Sequence, residues 1–148
     1  MSDLIKEQIE DLEFELSVER AIAQTLFEAM MIEYSIIDLK QIMADQKLQR
    51  IAIYGMGKVG KAIFELFKRN GIEVVYCIDL NKQIELGNVD LRHSIDAMTN
   101  DIDAVIVTPE IFFEEISEEI KKIVDCRILL ARDLLENILL LPEQLPKC

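Results

Sequence analysis

The fold is decided by the stretch RIAIYGMGKVG at residues 50–60, which is followed directly by KAIFELFKRNG at residues 61–71. The first five residues are rich in β-branched and apolar side chains and predict a buried strand. The next six have the spacing G-x-G-x-x-G, and residues 61–67 continue with the periodicity of a helix. The helix is predicted to end at Gly71, because a glycine in the left-handed conformation commonly caps the end of a helix. The stretch therefore predicts a strand, a tight turn and a helix.

A second strand and an acid complete this unit. Residues 73–78, EVVYCI, predict a strand that ends at Asp79. The glycine spacing alone is a weak signal. Between a strand and a helix, with an acid about 20 residues further on, it is typical of a dinucleotide-binding βαβ unit.

The glycines and the acid have distinct expected roles. Gly55 allows the tight turn, Gly60 allows close packing of helix on strand, and Gly57 lets a pyrophosphate approach the helix N-terminus. Asp79 is expected to accept hydrogen bonds from ribose hydroxyls, which favours NAD over NADP, although Lys82 keeps NADP open. The alternative is that the glycines serve only turn and packing geometry. The predicted cofactor-binding residues are Gly55, Met56, Gly57, Lys58, Val59, Gly60, Asp79 and Thr108.

Residues 50–79 resemble the first βαβ unit of Rossmann-type NAD(P)-binding proteins. Residues 50–135 are also similar to small Rossmann-like modules attached to bacterial polysaccharide and sugar-nucleotide enzymes, through DIDAVIVTP at 101–109 and LARDLL at 130–135. The resemblance implies NAD or NADP as the cofactor. Potassium-channel regulatory domains and CoA-binding domains open with the same motif, so CoA or a sugar nucleotide stays open as the ligand.

The second half of the chain predicts the rest of a small sheet. Residues 103–107 predict a strand whose carboxyl end carries Thr108, where the hydroxyl is expected to touch a nucleotide; the alternative is that Thr-Pro merely ends the strand. A short strand is expected near residues 89–91, a strand at 127–130 and a helix through residue 141. Residues 111–124 predict a helix whose apolar side chains face the sheet, namely Ile111, Phe112, Ile116, Ile120 and Ile123.

These elements predict an α/β fold: a mostly parallel, Rossmann-like sheet of four or five strands flanked by helices and preceded by an N-terminal α-helical arm. The expected domains are the arm at residues 1–46, the nucleotide-binding domain at 47–141 and a tail at 142–148. Two arrangements of the arm are open. It breaks near Ser35, where residues 35–38 have the pattern of a capping box, and folds back as a hairpin, or it stays long and pairs with the arm of a second subunit.

We expect the arm to form a homodimer. One apolar stripe follows Ile5, Ile9, Leu12 and Leu16, and between residues 21 and 44 apolar side chains cover more than one face. A clean two-stranded coiled coil is not assured, because Glu19 and Glu33 interrupt the best heptad.

Charge is unevenly distributed along the chain. With 28 acidic and 16 basic residues the net charge is −12, which argues against a nucleic-acid partner. Residues 1–45 carry −8 and residues 72–148 carry −9, whereas residues 46–71 carry +5. The unit with the glycine turn is therefore locally basic and suits a small phosphate-bearing ligand.

The sequence offers no catalytic machinery of its own. His93 is the sole histidine of the 148 residues, no metal-ligand cluster is apparent, and no stretch is left for a substrate domain. Cys77 and Cys126 are expected to be buried free thiols, and no signal peptide or membrane span is predicted, so we expect a cytoplasmic protein.

The predicted function is a nucleotide-binding accessory or regulatory subunit. One alternative is an oxidoreductase or epimerase subunit of sugar-nucleotide or polysaccharide metabolism, completed by a partner enzyme. The other is a protein-interaction scaffold with a degenerate nucleotide site.

Overall fold

A computed structural model describes residues 2–141 and has the predicted α/β architecture, with a five-stranded sheet in which every pair is parallel. The helices are α1 (Asp3–Glu33), α2 (Leu39–Asp45), α3 (Lys58–Arg69), α4 (Phe113–Lys121) and α5 (Ala131–Leu139), with a 3₁₀ turn at Ile95–Ala97. The strands are β1 (Arg50–Tyr54), β2 (Glu73–Ile78), β3 (Leu91–Arg92), β4 (Ala104–Val107) and β5 (Arg127–Leu130).

The strand order is β3-β2-β1-β4-β5, with β1 in the centre. The chain fills one side of β1 with β2 and β3 and then crosses to the other side for β4 and β5. In an open parallel sheet, ligands bind at the carboxyl ends of the strands where the order reverses. Here that point lies between the ends of β1 and β4, at Tyr54 and Val107, which are register partners.

Both faces of the sheet are covered, as expected for parallel strands. Ile51 and Ile53 of β1 point into a core formed with α1, α2, α3 and α5, whereas Ala52 and Tyr54 point into a second core on the α4 side. All four side chains are buried. This alternation along one strand fixes which helices lie on which face.

The N-terminal arm breaks near Ser35, between α1 and α2, but the capping-box prediction was wrong. The N-cap of α2 is Asp38, whose carboxylate accepts from the Gln41 N–H at 3.1 Å. The Ser35 hydroxyl instead donates to the Ile32 carbonyl at 2.7 Å. The Ser35 hydroxyl therefore adds to the bond that the Ser35 N–H already donates to this carbonyl at 3.1 Å, and Ser35 does not begin α2.

The two halves of α1 have different surroundings. In the C-terminal half, Ala29 and Ile32 are buried in the same core as β1, and Glu33 accepts from Arg69 of α3 at 3.2 Å. Residues 2–17, by contrast, are all exposed. Because α1 has 31 residues and a helix rises about 1.5 Å per residue, it is about 46 Å long. Its first half projects beyond the core.

Most other predicted elements lie within a few residues of their expected bounds. The short strand expected near residues 89–91 is β3, and the expected buried thiol of Cys77 is fully buried, which raises its pKa to about 12. Cys126 is half-buried. None of the helices in residues 2–141 combines the length and apolar character that a membrane crossing requires. The predicted tail at 142–148 lies outside the described residues.

Candidate functional site

Gly55, the first glycine of the turn after β1, is required by the chain's own packing. Its φ is +92°, in the left-handed region that favours glycine. A Cβ at this position would collide with the Thr108 hydroxyl and lie 2.9 Å from Cδ of Pro109. The turn at Gly55 and the end of β4 therefore touch closely at the switch point of the sheet.

The last glycine of the motif is also explained by packing. A Cβ on Gly60 would collide with the carbonyl oxygen of Gly55, so only glycine lets the first turn of α3 sit this close to the strand. The predicted packing roles of Gly55 and Gly60 agree with this geometry.

Gly57 differs from the other two glycines, because nothing in the fold requires it. Its φ of −76° is ordinary backbone, and no atom lies within 4 Å of the position that a Cβ would occupy. It is the N-cap of α3, a position that tolerates glycine, but unlike Ser, Thr, Asp or Asn it supplies no side-chain cap. The missing side chain leaves open space in front of the helix N-terminus.

The first turn of α3 presents unsatisfied donors to that space. The N–H groups of Lys58, Val59 and Gly60 meet no acceptor within residues 2–141. Together with the helix dipole, such N–H groups form an anion-binding end. The exposed side chain of Lys58 adds positive charge at the same place.

Asp79, at the carboxyl end of β2, holds the glycine turn in place. Its Oδ2 accepts from the Met56 N–H at 2.7 Å, and its Oδ1 accepts from the Asn81 N–H at 2.8 Å. Burial and the nearby negative charge of Asp79 raise the pKa of Tyr54. Each carboxylate oxygen can accept a further hydrogen bond, so a ribose hydroxyl can still bind here.

Thr108 lines the same cleft as Asp79, and its side chain is hydrogen-bonded to the glycine turn. Its hydroxyl lies 2.8 Å from the Gly55 carbonyl oxygen and 3.2 Å from that of Tyr54, and it donates to these acceptors. The hydroxyl proton is therefore used within the protein. The remaining capacity of the Thr108 oxygen is as an acceptor.

These residues surround a cleft of about 250 Å³ between the glycine turn and α1. Of the predicted site residues, the structure brings Gly55, Gly57, Lys58, Val59, Asp79 and Thr108 to its walls. Met56 and Gly60 do not line the cleft. The Met56 side chain is fully buried in the core and its N–H is donated to Asp79.

Sequence reasoning missed the roof of the cleft. It is formed by one face of α1, through Val18, Ala21, Ile22 and Thr25. The signal was the apolar pattern that spreads over several faces of the arm from residue 21 onward, but the sequence does not say which element covers which face. The arm thus contributes directly to the site.

The prediction that Ile111 and Phe112 face the sheet from within a helix was wrong. The helix α4 begins later, at Phe113, and the two residues lie in the preceding loop with 44% and 47% of their surface exposed. They line the cleft, and Phe112 also borders a second depression of about 380 Å³ that includes Leu80. The two depressions share Gly55 and Asp79 in their walls, so they are neighbours at the carboxyl edge of the sheet, and we call them together the groove.

A buried acid lies in the contact between α1 and α5. Glu28 is 3% exposed; its Oε1 accepts from Gln24 Nε2 at 2.8 Å, and its Oε2 has no partner among the described residues. Burial raises the pKa of Glu28, and the adjacent carboxylate of Glu136 raises it further, against the opposing charge of Arg132. No group of three or more side chains suited to a metal comes together within residues 2–141.

A protein-family model matches the central part of the chain. The model of the family described as C2185-like, N-terminal, matches residues 47–128, just over half of the chain. The matched segment contains the glycine turn and the sheet up to the first residues of β5, and it excludes α1 and α2. No curated protein and no solved structure matches the chain.

Proposed function

The chain belongs to the C2185-like, N-terminal family, and we propose that it is a nucleotide-binding module that acts as an accessory or regulatory subunit. NAD(H) is the favoured ligand. NADP, CoA and a sugar nucleotide are the alternatives that the test below separates.

The observation that carries the proposal is the empty space at Gly57. Packing accounts for Gly55 and Gly60, but no neighbouring atom excludes a side chain at Gly57, where Ser, Thr, Asp or Asn would add a side-chain cap to α3. A phosphate group would make use of the empty space, because it could approach the free N–H groups of the helix N-terminus without meeting a side chain. The site also lies at the switch point of a parallel sheet, where ligands of such folds bind.

The neighbourhood of Asp79 supports a nucleoside next to that phosphate. The carboxylate lies on the wall of the same cleft and has free acceptor capacity for ribose hydroxyls. Its negative charge would repel a 2′-phosphate, which favours NAD(H) over NADP. The cleft of about 250 Å³ is small for a whole dinucleotide. The groove continues past Leu80 and Phe112, whose exposed apolar side chains suit the face of a base.

The accessory role is supported by the residues around the site. His93 is the sole histidine, and its Nδ1 lies 2.9 Å from the backbone carbonyl of Asp79, so it is tied to the turn after β2. We propose no catalytic residue in this chain. The proposed setting is the cytoplasm, where a reduced thiol such as Cys77 persists, and no nucleic-acid partner is expected.

Two further functions have an observation in their favour. Ile111, Phe112 and Leu80 are exposed beside the groove, and a partner enzyme of sugar-nucleotide or polysaccharide metabolism could cover them and supply catalytic groups. The exposed apolar side chains of α1 favour an interaction scaffold. The homodimer through α1 is part of the leading proposal.

Mass spectrometry of ligand released from freshly purified protein, combined with thermal unfolding, tests the proposal. NAD⁺, NADH, NADP⁺, CoA and a UDP-sugar are each added to the wild type. A ligand at 100 times its Kd stabilises the folded state by about 2.7 kcal/mol, and we expect NAD⁺ or NADH to raise Tm most. If none of the five raises Tm and no nucleotide is released, the proposal is wrong.

A further inference from the structure

The helix α1 has two apolar faces, and its own core covers one of them. The inner face packs on the core through residues such as Thr25, Ala29 and Ile32. A second set of apolar side chains lies on the opposite side of the helix. Each of them precedes an inner-face position by two residues, and two residues turn the helix by about 200°. We call it the outer stripe, and it consists of Ile5, Ile9, Leu12, Leu16, Ala23, Phe27, Met30 and Tyr34.

The outer stripe is exposed along its whole length. Its larger side chains range from 41% exposed at Ile9 to 85% at Tyr34. It also runs through both halves of α1, whereas the inner face of the projecting half carries the acids Glu7 and Asp11 between its apolar residues. The outer stripe is therefore apolar in both halves of the helix, and it is interrupted in the middle by Glu19 and Arg20.

The spacing of the stripe fits a straight partner helix. Ile5, Leu16 and Phe27 are 11 residues apart, as are Leu12, Ala23 and Tyr34. An 11-residue repeat has 3.67 residues per turn, close to an undistorted helix, and so keeps the stripe on one side over the full length. Glu33 lies outside this stripe, whereas Glu19 and Arg20 occupy the gap between Leu16 and Ala23.

The charge distribution along α1 favours antiparallel over parallel pairing of two helices. Residues 3–18 carry six acids and one base, a net charge of −5. In the second half, Glu28 is buried and Glu33 pairs with Arg69, which leaves the exposed Glu19 and Arg20 to balance each other. Parallel pairing of two copies would place the two −5 halves side by side, whereas antiparallel pairing places each against the nearly neutral half.

We propose that two copies of this chain pair antiparallel along the outer stripe of α1, with Glu19 and Arg20 of each copy at the two-fold axis. Ile5 of one copy then lies opposite Tyr34 of the other, Leu12 opposite Phe27, and Leu16 opposite Ala23. Each Arg20 meets the partner's Glu19. The inference rests on the α1 homodimer of the proposed function and specifies its surface and geometry.

The size of the surface is sufficient for a specific dimer. A stripe along a helix of 31 residues is about 46 Å long and about 10 Å wide. Two such stripes would bury on the order of 1,000 Å², the size at which specific interfaces begin. The pairing would also cover the projecting half of α1, in which residues 2–17 are all exposed.

Sedimentation velocity of the full chain with a matched pair of variants tests the surface. Leu16 and Phe14 are both 49% exposed, but only Leu16 is in the stripe. We expect a dimer for the wild type and for Phe14→Glu, and about 100-fold weaker dimerisation for Leu16→Glu, because it buries a charge in each half of the interface. A monomeric wild type, or equal effects of the two substitutions, would overturn the proposal.

Cysteine cross-linking in a Cys126→Ser, Cys148→Ser background tests the direction. Arg20→Cys, next to the axis, is expected to cross-link to itself. Ile5→Cys is expected to cross-link only with Tyr34→Cys of a mixed partner; self-cross-linking of Ile5→Cys would show parallel helices and refute the proposal. Nucleotide stabilisation of Leu16→Glu is measured separately, so a failed dimer and a failed nucleotide site are distinguished.

Discussion

The carboxylate of Asp79 accepts a hydrogen bond from the Met56 N–H at 2.7 Å, which ties the end of β2 to the glycine turn after β1. The acid that we propose for ribose binding therefore also shapes the turn at which we propose that a phosphate binds. One side chain connects the two halves of the proposed nucleotide site.

Replacing Asp79 by Asn tests this link. Asn has one acceptor oxygen where Asp79 uses two, so one of the bonds to Met56 and Asn81 is lost. We expect the free energy of unfolding to fall by about 1–2 kcal/mol without ligand, and nucleotide stabilisation to weaken as well. Urea denaturation measures the first effect. Asp125→Asn, at an exposed position, is the control, and equal stability of the two variants would contradict the link.

The glycine series separates packing from ligand binding. Gly55→Ala and Gly60→Ala force a Cβ into the Thr108 hydroxyl and the Gly55 carbonyl oxygen, respectively, and we expect each to lower stability by roughly 2 kcal/mol or more. Gly57→Ala meets no atom within 4 Å and should change stability by less than about 1 kcal/mol. Thermal unfolding of the three variants without ligand measures this order. A large loss at Gly57 would show that packing requires that glycine too.

The buried acid Glu28 predicts a pH dependence. Because burial raises its pKa in the folded state, the fold binds the proton more tightly than the unfolded chain does, and its stability falls as pH rises above the ordinary value of 4.5. Glu28→Gln stays neutral at every pH. We expect it to be more stable than the wild type at pH 7.5, by on the order of 1 kcal/mol or a few degrees in Tm.

That advantage should shrink towards pH 4.5, where half of the unfolded chains carry the proton on Glu28 as well. Tm measured between pH 4.5 and 8 gives the profile. Glu13→Gln, on the exposed half of the same helix, should follow the wild type. Parallel profiles for wild type and Glu28→Gln would contradict the role assigned to burial.

The βαβ unit was predictable because its signals are local. β1 and β2 have the bounds expected from their apolar runs, and the Gly55 and Gly60 positions follow from turn and packing geometry that the motif itself encodes. The order of elements along the chain also sufficed for a parallel sheet, since each strand but one is separated from the next by a helical segment.

The roof of the cleft was not predictable, because it depends on long-range packing. The apolar pattern of α1 indicates several buried faces, but not that Val18 and Ile22 lie over a turn more than 30 residues further along the chain. The start of α4 was also misjudged. The loop after Pro109 continues to Phe112, so Ile111 points into the cleft and not onto the sheet.

The Gly57→Asp variant tests nucleotide binding at the helix N-terminus most directly, because its two expected effects have opposite signs. An aspartate at the N-cap of α3 supplies the missing cap and a negative charge beside the helix dipole, so the ligand-free protein should become more stable by about 0.5 kcal/mol. The same carboxylate would occupy the space at which we propose that a phosphate binds, and its negative charge would repel the phosphate. In thermal unfolding with and without NAD⁺, we expect a raised Tm without ligand and no further rise with NAD⁺; a rise with NAD⁺ equal to that of the wild type would contradict nucleotide binding at this site.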